Sequence, residues 1–310
     1  MKTLFADLGA TNARLAVTED FLSLTHTSTY KINDFQSLND LFSIYLNENK
    51  LTQFVKSGII GVAAPVIGDI IRFVNTDLSF SIKEIRSIFF PEGLQVLNDV
   101  QLQVYSLNRI PNDSLCAIGK EKNSLEGPKI LIVPGTGLGL AALIDSKAIA
   151  TEAGHITIPH CEDEVSELID DFIKRKERKP TFEDIISGKG ISYIYGFFSK
   201  NPDHSISNRE ILKKYKHDQY CQNTKELLLK ILSIFTRQSA LIWGSTGGVY
   251  LSGSLVKSLL QDINFDNFRE MFEDSETMKE LLIRTPLYLI REENLAFLGS
   301  LEIVKNYYKK

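Results

Sequence analysis

Cysteine is scarce: only Cys116, Cys161 and Cys221 occur in 310 residues, scattered, odd in number and never spaced as C-x-x-C. A disulfide framework and a structural zinc site are therefore not expected. Positive charge is not in excess either. Lys plus Arg number 35 against 39 Asp plus Glu, a net charge of -4, which disfavours a long, sequence-independent grip on nucleic acid or an anionic membrane. No long apolar run follows Lys2, and Asp7 interrupts the opening segment, so neither a secretory leader nor a spanning helix is expected there and a cytoplasmic location is. Several catalytic signatures are missing as well. There is no G-x-x-x-x-G-K-[ST] loop, no protein-kinase H-R-D and D-F-G pair, no G-x-S-x-G and no H-E-x-x-H, which leaves P-loop, kinase-type, serine-hydrolase and metalloprotease readings without support.

What is present is an ordinary globular composition, 43% hydrophobic and 24% charged, far from disorder or low complexity. At roughly 100 to 200 residues per domain the length suits two domains or one large one. Residues 3–8 are apolar and β-prone, 9–12 form a turn cluster and 13–17 resume an apolar run, predicting a strand, turn, strand unit. The Thr-rich stretch 22–30 predicts a third antiparallel strand, and Asn33 with Asp34 supplies helix-start chemistry. Phe35, Leu38, Leu41, Phe42, Tyr45 and Leu46 then recur at helical spacing. Short strands are expected at 59–62 and 94–97, the latter ending in Asn98 and Asp99 before a helical stretch at 100–107.

From Lys129 the pattern repeats: strand 130–133, glycine-rich turn 134–139, strand 140–144. The echo suggests two related halves. Helices are expected at 165–173 and at 224–243, the second with Asn223 and Glu226 as a possible cap pair, then a strand at 287–290 and a helix at about 294–308. No flexible linker is visible. The expected division is a small α/β domain over residues 1–110, with the C-terminal helix packing back on it, and a large α/β domain over 111–293.

Three loops could carry chemistry. In Asp7-Leu8-Gly9-Ala10-Thr11-Asn12 a carboxylate stands at a strand end beside a turn rich in backbone donors. Such a loop can hold phosphate oxygens while the acid orients a hydrated Mg²⁺, although a plain hairpin turn has the same look. Gly135-Thr136-Gly137-Leu138-Gly139 approaches the dinucleotide fingerprint, but G-x-G-x-x-G needs a glycine at Leu140, and the continuation reads as a returning strand. A phosphate-cradling hairpin and a simple glycine turn both fit it. The third, Gly247 to Ser254, is strand then turn with a helix expected near Leu255, a place that favours an anionic or polar ligand. Three such loops at strand ends exceed ordinary turn chemistry and point to a nucleotide. Asp99 is either a base for a sugar or alcohol hydroxyl or half of an Asn-Asp helix cap. Glu152 and His155, in one short turn-like segment, could hold a polyol, or His155 could be structural. The basic run Lys174 to Lys179 reads as a solvated helix end.

The order of these motifs resembles the bacterial glucokinase family, of the non-ROK type, within the actin-like, hexokinase and Hsp70 ATPase superfamily. The resemblance spans nearly the full chain and rests on the Asp7 to Ala16 segment, Ala64-Pro65-Val66-Ile67-Gly68-Asp69, Asn98-Asp99, the Gly135 to Gly139 loop, Glu152-Ala153-Gly154-His155, Glu183 before Ser187-Gly188, and Gly247 to Gly253. ROK kinases look for a cysteine-rich zinc motif after the Glu and His segment, where only Cys161 follows here.

This resemblance implies an α/β, two-domain actin-like (ribonuclease H-like) ATPase fold with an interdomain cleft where glucose and ATP meet. Asp99 would be the general base on the sugar 6-hydroxyl; Asn98, Glu152, His155 and Glu183 would bind the other hydroxyls. Asp7, Gly9, Ala10, Thr11 and Asn12, with Gly135, Thr136 and Gly137, would hold the phosphates and Mg²⁺, the metal reached from Asp7 through water. Gly253 would border the adenosine, and Asn75 would lie on a loop over the sugar. A cytoplasmic homodimer is implied too, with no nucleic-acid or membrane partner expected. Ala10 and Ala153 stand where the family commonly has glycine, Leu78 where it often has an aromatic residue, and Leu298-Gly299 keeps a Leu-Gly turn. Three rivals remain: the same chemistry on another hexose, a catalytically silent glucose-binding regulatory protein, and an actin-like or chaperone-like ATPase. Retention of Asp99 and both phosphate loops argues against the second.

Overall fold

The opening strands follow directly from side-chain alternation. In the computed structural model, which describes residues 2–9, 11–73, 78–120, 125–161 and 164–307, β1 (Lys2–Leu8) and β2 (Asn12–Thr18) form an antiparallel hairpin. β3 (Thr25–Lys31) is the exposed, Thr-rich edge. Helix α1 (Leu38–Glu48) buries Leu38, Leu41, Phe42, Tyr45 and Leu46, the apolar face expected of it. It starts later than Asn33 and Asp34 suggested: these end a short 3-10 turn, Ile32–Asp34, while the Ser37 hydroxyl accepts from the Asp40 amide and caps the helix. β4 (Val55–Val62), the small hairpin β5 (Ile70–Arg72) and β6 (Ser79–Ser81), α2 (Ile82–Phe89), β7 (Gly93–Asn98) and α3 (Asp99–Val104) complete this part. The sheet order is β3-β2-β1-β4-β7, with β1, β4 and β7 parallel.

Burial on both faces explains why β1 reads as a nearly continuous apolar run. Leu4, Ala6 and Leu8 join α1 residues in one cluster, while Phe5 joins Leu97, Leu102, Phe297 and Leu301 in another.

The second sheet repeats the plan. β8 (Leu115–Ala117), β9 (Lys129–Pro134), β10 (Leu138–Ile144) and β11 (Lys147–Thr151) precede helices α4 (Glu164–Lys176), α5 (Phe182–Ile185), α6 (Gly188–Ser199), α7 (Asn208–Lys214) and α8 (Gln219–Trp243). β12 (Gly248–Leu251), α9 (Ser254–Leu260), α10 (Phe265–Glu273), α11 (Lys279–Arg284), β13 (Leu287–Ile290) and α12 (Leu295–Tyr307) follow. Its strand order, β11-β10-β9-β12-β13-β8, reproduces that of the first sheet and adds β8 at the far edge. β9, β12 and β13 are parallel, while β10 runs antiparallel to β9.

Helix α8 starts earlier than Asn223 predicted. The Asp218 carboxylate accepts from the Cys221 amide as the cap, and Asn223 and Glu226 instead take bonds from Gln219 and Gln222 one turn before them. Gly299 likewise lies inside α12 and not in a turn, because a residue without Cβ is what lets α12 sit against the Leu102 carbonyl of α3. By contact clustering the chain forms two compact units, one of Met1–Ile110, Ser146–Ala150 and Asn294–Lys310, the other of Pro111–Asp145 and Thr151–Glu293. Among the described residues no helix is long and apolar enough to cross a membrane.

Candidate functional site

In the first unit, strand register brings the chemistry to one edge. Leu8 pairs with Val62 and Val62 with Asn98, so the segments after β1, β4 and β7 leave the sheet side by side. Asp7 is half-buried one residue before the end of β1. Burial raises its carboxyl pKa, and Arg14, directly opposite in the β1–β2 register, draws it partly back. The Gly9 amide donates to the Asn12 carbonyl at 3.0 Å and closes the turn. Thr11 and Asn12 are exposed there. Ala10 and Asn75 lie outside the described residues.

At the end of β7, Asn98 takes the capping role that the sequence offered to the Asn-Asp pair, and Asp99 opens the helix it caps. The Asn98 Oδ1 accepts from the Val100 and Gln101 amides at 3.0 and 3.1 Å, capping α3. Its Nδ2 donates to the Ala64 carbonyl at 3.5 Å. With the oxygen occupied by the cap, Asn98 can meet a ligand only as a donor. Asp99 is half-buried at the first helical position, its Oδ1 accepting from the Val100 amide at 2.8 Å, where the unpaired N–H groups of a first turn favour negative charge. Two glycines seat it. A Cβ on Gly61 of β4 would come within 2.7 Å of Leu102 Cδ2, and Gly299 admits α12 behind the same helix. Neither glycine stands out in the sequence, because close helix packing leaves no local motif.

In the second unit the elements converge on the β9–β10 turn. The Gly135 amide donates to the Gly137 carbonyl at 2.8 Å, and the Gly188 amide, opening α6, donates to the Gly135 carbonyl at 3.1 Å. Glu183 on α5 buttresses this loop: its Oε2 accepts from the Leu138 amide at 2.8 Å and would lie 2.6 Å from a Cβ on Gly137. Glu152 and His155 stand on a 3-10 turn packed against Leu138, exposed, with Oε2 and Nε2 3.8 Å apart. The Phe182 amide donates to Ile156, tying that turn to α5. Gly135, Thr136, Gly137, Glu183, Glu152 and His155 are therefore neighbours around the start of β10.

Gly253 follows β12 in a left-handed conformation, φ 102, and N-caps α9. A Cβ there would meet the Pro134 carbonyl at 2.8 Å, so the third loop abuts the second. Beside them lies a cavity of about 580 Å³, with Gly135 and Thr136 on one side and Gly188 and Ile191 of α6 next to them. Asn208, Arg209, Leu212 and Lys213 of α7 form a further wall; Ser254, Leu255, Ser258 and Gln261 form the last. Its size falls within the ~300–1,000 Å³ of small-molecule sites. Sequence reading missed the α7 wall, whose only signal is two basic residues four apart. Arg209 and Lys213 are exposed at the cavity rim. A separate cavity of about 440 Å³ sits at the other end of the first sheet, near Thr3, Ser57 and Gln95, away from Asp7 and Asp99.

Among the described residues no cluster of three His, Cys, Asp or Glu could hold a metal by itself. A half-buried carboxylate with a raised pKa does suit Mg²⁺, which is commonly held by one or two carboxylates together with substrate phosphates.

A sequence model described as Glucokinase matches residues 4–307. A glucokinase of Campylobacter jejuni subsp. doylei is 28% identical, over 99% of this chain and 95% of the relative. Among solved structures, a glucokinase from an Antarctic psychrotroph superimposes with a TM-score of 0.84 at 22% identity, covering 98% of this chain and 99% of that one. A glucokinase from Balamuthia mandrillaris in complex with glucose gives 0.81 at 18% identity, covering 98% and 93%.

Proposed function

The chain belongs to the glucokinase family, a match that runs over residues 4–307, and from that premise we propose how its residues divide the work of ATP-dependent glucose phosphorylation. Asp99 acts as general base. Its carboxylate takes the proton from the 6-hydroxyl of glucose while O6 forms a bond to the γ-phosphorus and the bond from that phosphorus to the β-bridging oxygen breaks, releasing ADP. Asn98 donates from Nδ2 to a sugar hydroxyl, its oxygen being held by the α3 cap. Glu152, His155 and the second oxygen of Glu183 take the remaining hydroxyls. A site built from such polar groups rejects analogues that leave them unpaired.

The amides and hydroxyls of Gly9, Ala10, Thr11 and Asn12 and of Gly135, Thr136 and Gly137 cradle the phosphates. The adenosine occupies the cavity of about 580 Å³ lined by Ser254 and Leu255, the residues that directly follow Gly253. Mg²⁺, when bound, neutralises charge on the β- and γ-phosphates, and Asp7 would hold it through water. By the family resemblance the enzyme is a cytoplasmic homodimer, and sedimentation velocity tests the dimer.

The observation that carries the base assignment is Asp99 itself, half-buried at the start of α3 and aligned by register with the Asp7 loop. A coupled assay of glucose-dependent ADP release tests it. Asp99→Asn is expected to lower kcat by about 10²–10⁴ with the KM for ATP little changed. A loss of only a fewfold would remove Asp99 from the role of base.

A further inference from the structure

The walls of the second-unit cavity are joined by a side chain with no part in the chemistry above. Lys225 of α8 is only 2% exposed. Its ammonium donates to the Gln261 carbonyl at 2.9 Å and lies 3.6 Å from the centroid of the Tyr215 ring. The Tyr215 hydroxyl in turn donates to the Asp262 carbonyl at 3.0 Å. Tyr215 is the residue that ends α7, and Gln261 the residue that ends α9. These two helices both line the cavity, α7 with Arg209 and Lys213 and α9 with Ser254 and Ser258. Asp262 holds a left-handed backbone, φ 59, which a non-glycine residue keeps when its surroundings hold it there.

Burying an ammonium is costly unless its bonds are replaced. Here a carbonyl and a ring face replace them, and each belongs to a different wall. Burial pushes the Lys225 pKa down to about 8, Asp262 opposing that shift and Lys216 adding to it, so the charge survives at neutral pH. A leucine or methionine would fill the same interior space without joining the two ends.

We propose that Lys225 is a positioning residue, clasping the ends of α7 and α9 so as to set the width of the cavity and its affinity for the adenine nucleotide. This rests on the nucleotide occupying that cavity. The test uses the full chain with Lys225→Met, Lys225→Arg and Tyr215→Leu, measuring steady-state kinetics and, without turnover, titration with a fluorescent N-methylanthraniloyl ADP. Lys225→Met and Tyr215→Leu are expected to raise the ADP-probe Kd and the KM for ATP about tenfold, because the nucleotide must then order the helix ends that the clasp held in place. The kcat and the KM for glucose stay within about twofold, and Lys225→Arg recovers most of the loss because the cation is kept.

An unchanged probe Kd in a folded Lys225→Met or Tyr215→Leu protein overturns the clasp, as does a parallel fall of kcat and both affinities. Should Lys225→Met not fold, Tyr215→Leu reads the same contact from its outer side. Ser258→Trp separates the clasp from the site assignment, since it fills the cavity directly. If Ser258→Trp leaves the probe Kd unaltered, the nucleotide lies elsewhere and the premise fails; if Ser258→Trp abolishes binding while Lys225→Met is silent, only the clasp fails.

Discussion

Gly253→Ala isolates the contact between the second and third loops. The added Cβ would stand 2.8 Å from the Pro134 carbonyl oxygen, whereas ordinary contact begins at 3.4 Å. The two backbones must therefore part by about half an ångström. Gly253 also sits at φ 102, ψ 158, a region nearly reserved for glycine, where another residue costs about 1–3 kcal/mol. Adding the crowding of a packed contact gives a destabilisation of roughly 2–4 kcal/mol. For a domain of this size that lowers Tm by roughly 5–10 °C. Pro134 immediately precedes Gly135, so the displaced carbonyl carries the phosphate loop with it. Since an ångström of misplacement can cost about a hundredfold, half of that is expected to raise the KM for ATP about tenfold.

Gly135→Ala is the matched comparison. Its Cβ meets nothing within 4 Å and its φ is not left-handed, so the fold has no reason to weaken. The methyl would nevertheless project where Gly135 lines the cavity. Thermal scans and ATP titrations should therefore separate the pair: Gly253→Ala loses both stability and affinity, Gly135→Ala affinity alone. A Gly253→Ala protein melting within about 1 °C of the parent would refute the strain and contact argument, because no combination of those costs is so small.

Three other outcomes follow from the same geometry. Gly299→Ala drives a methyl into the Leu102 carbonyl and shifts α3; kcat should fall about tenfold or more while ADP-probe binding is kept, and unchanged kcat would show that α3 tolerates the shift. Glu183→Ala removes the acceptor of the Leu138 amide and loosens the glycine loop, costing roughly 1–3 kcal/mol in Tm measurements, whereas Glu183→Gln, which keeps an acceptor oxygen, should recover most of it. Asp7 is held above the ordinary carboxyl range by burial, so it protonates earlier than a normal aspartate as pH falls. In the role proposed for Asp7 only the ionised form serves Mg²⁺, so the acid limb of kcat/KM for ATP should begin above the ordinary range, move to lower pH with excess Mg²⁺, and vanish in Asp7→Asn. An acid limb indifferent to Mg²⁺ would assign it to another group. The same shift means that the folded protein binds this proton more tightly than the unfolded chain, so the unliganded fold loses stability as pH rises from the ordinary range through the raised value.

Much of the layout was legible because local periodicity reports local structure. The apolar face of α1 and the strand at residues 287–290 appear where spacing put them. Helix starts were less legible: Asn33 and Asp34 read as the start, while the cap is Ser37, because Ile32 packs into the core and holds residues 32–34 in a separate 3-10 turn. Gly299 was misread for the related reason that a glycine freeing the backbone and a glycine admitting a neighbour are identical in one dimension. Glu183 was visible only through family resemblance, because its bond to Leu138 spans 45 residues. The α7 wall left only two basic residues four apart and Lys225 no pattern at all, their meaning lying in what packs around them.

Both sheets place their candidate chemistry at the carboxyl ends of parallel strands, and the physics of that edge explains why. Where the chain passes from a strand to its parallel neighbour it needs a crossover, and a strand that feeds one directly leads into a helix N-terminus, where amides are unpaired and favour negative charge. In the first sheet β7 runs straight into α3, and Asp99 occupies the first helical position. In the second, β12 reaches α9 through Gly253, which carries no capping side chain. One edge thus presents a carboxylate, the base proposed above, and the other a helix start without a capping side chain, beside the proposed adenosine site. Exchanging the residues would fail in both directions: an aspartate at Gly253 would collide with Pro134, and a glycine at position 99 would remove the proposed base from the start of α3. The repeated strand order therefore supplies the same kind of edge twice, and the residue at the strand-to-helix junction sets what that edge presents: a carboxylate at Asp99, and at Gly253 a backbone close enough to Pro134 to leave no room for a Cβ.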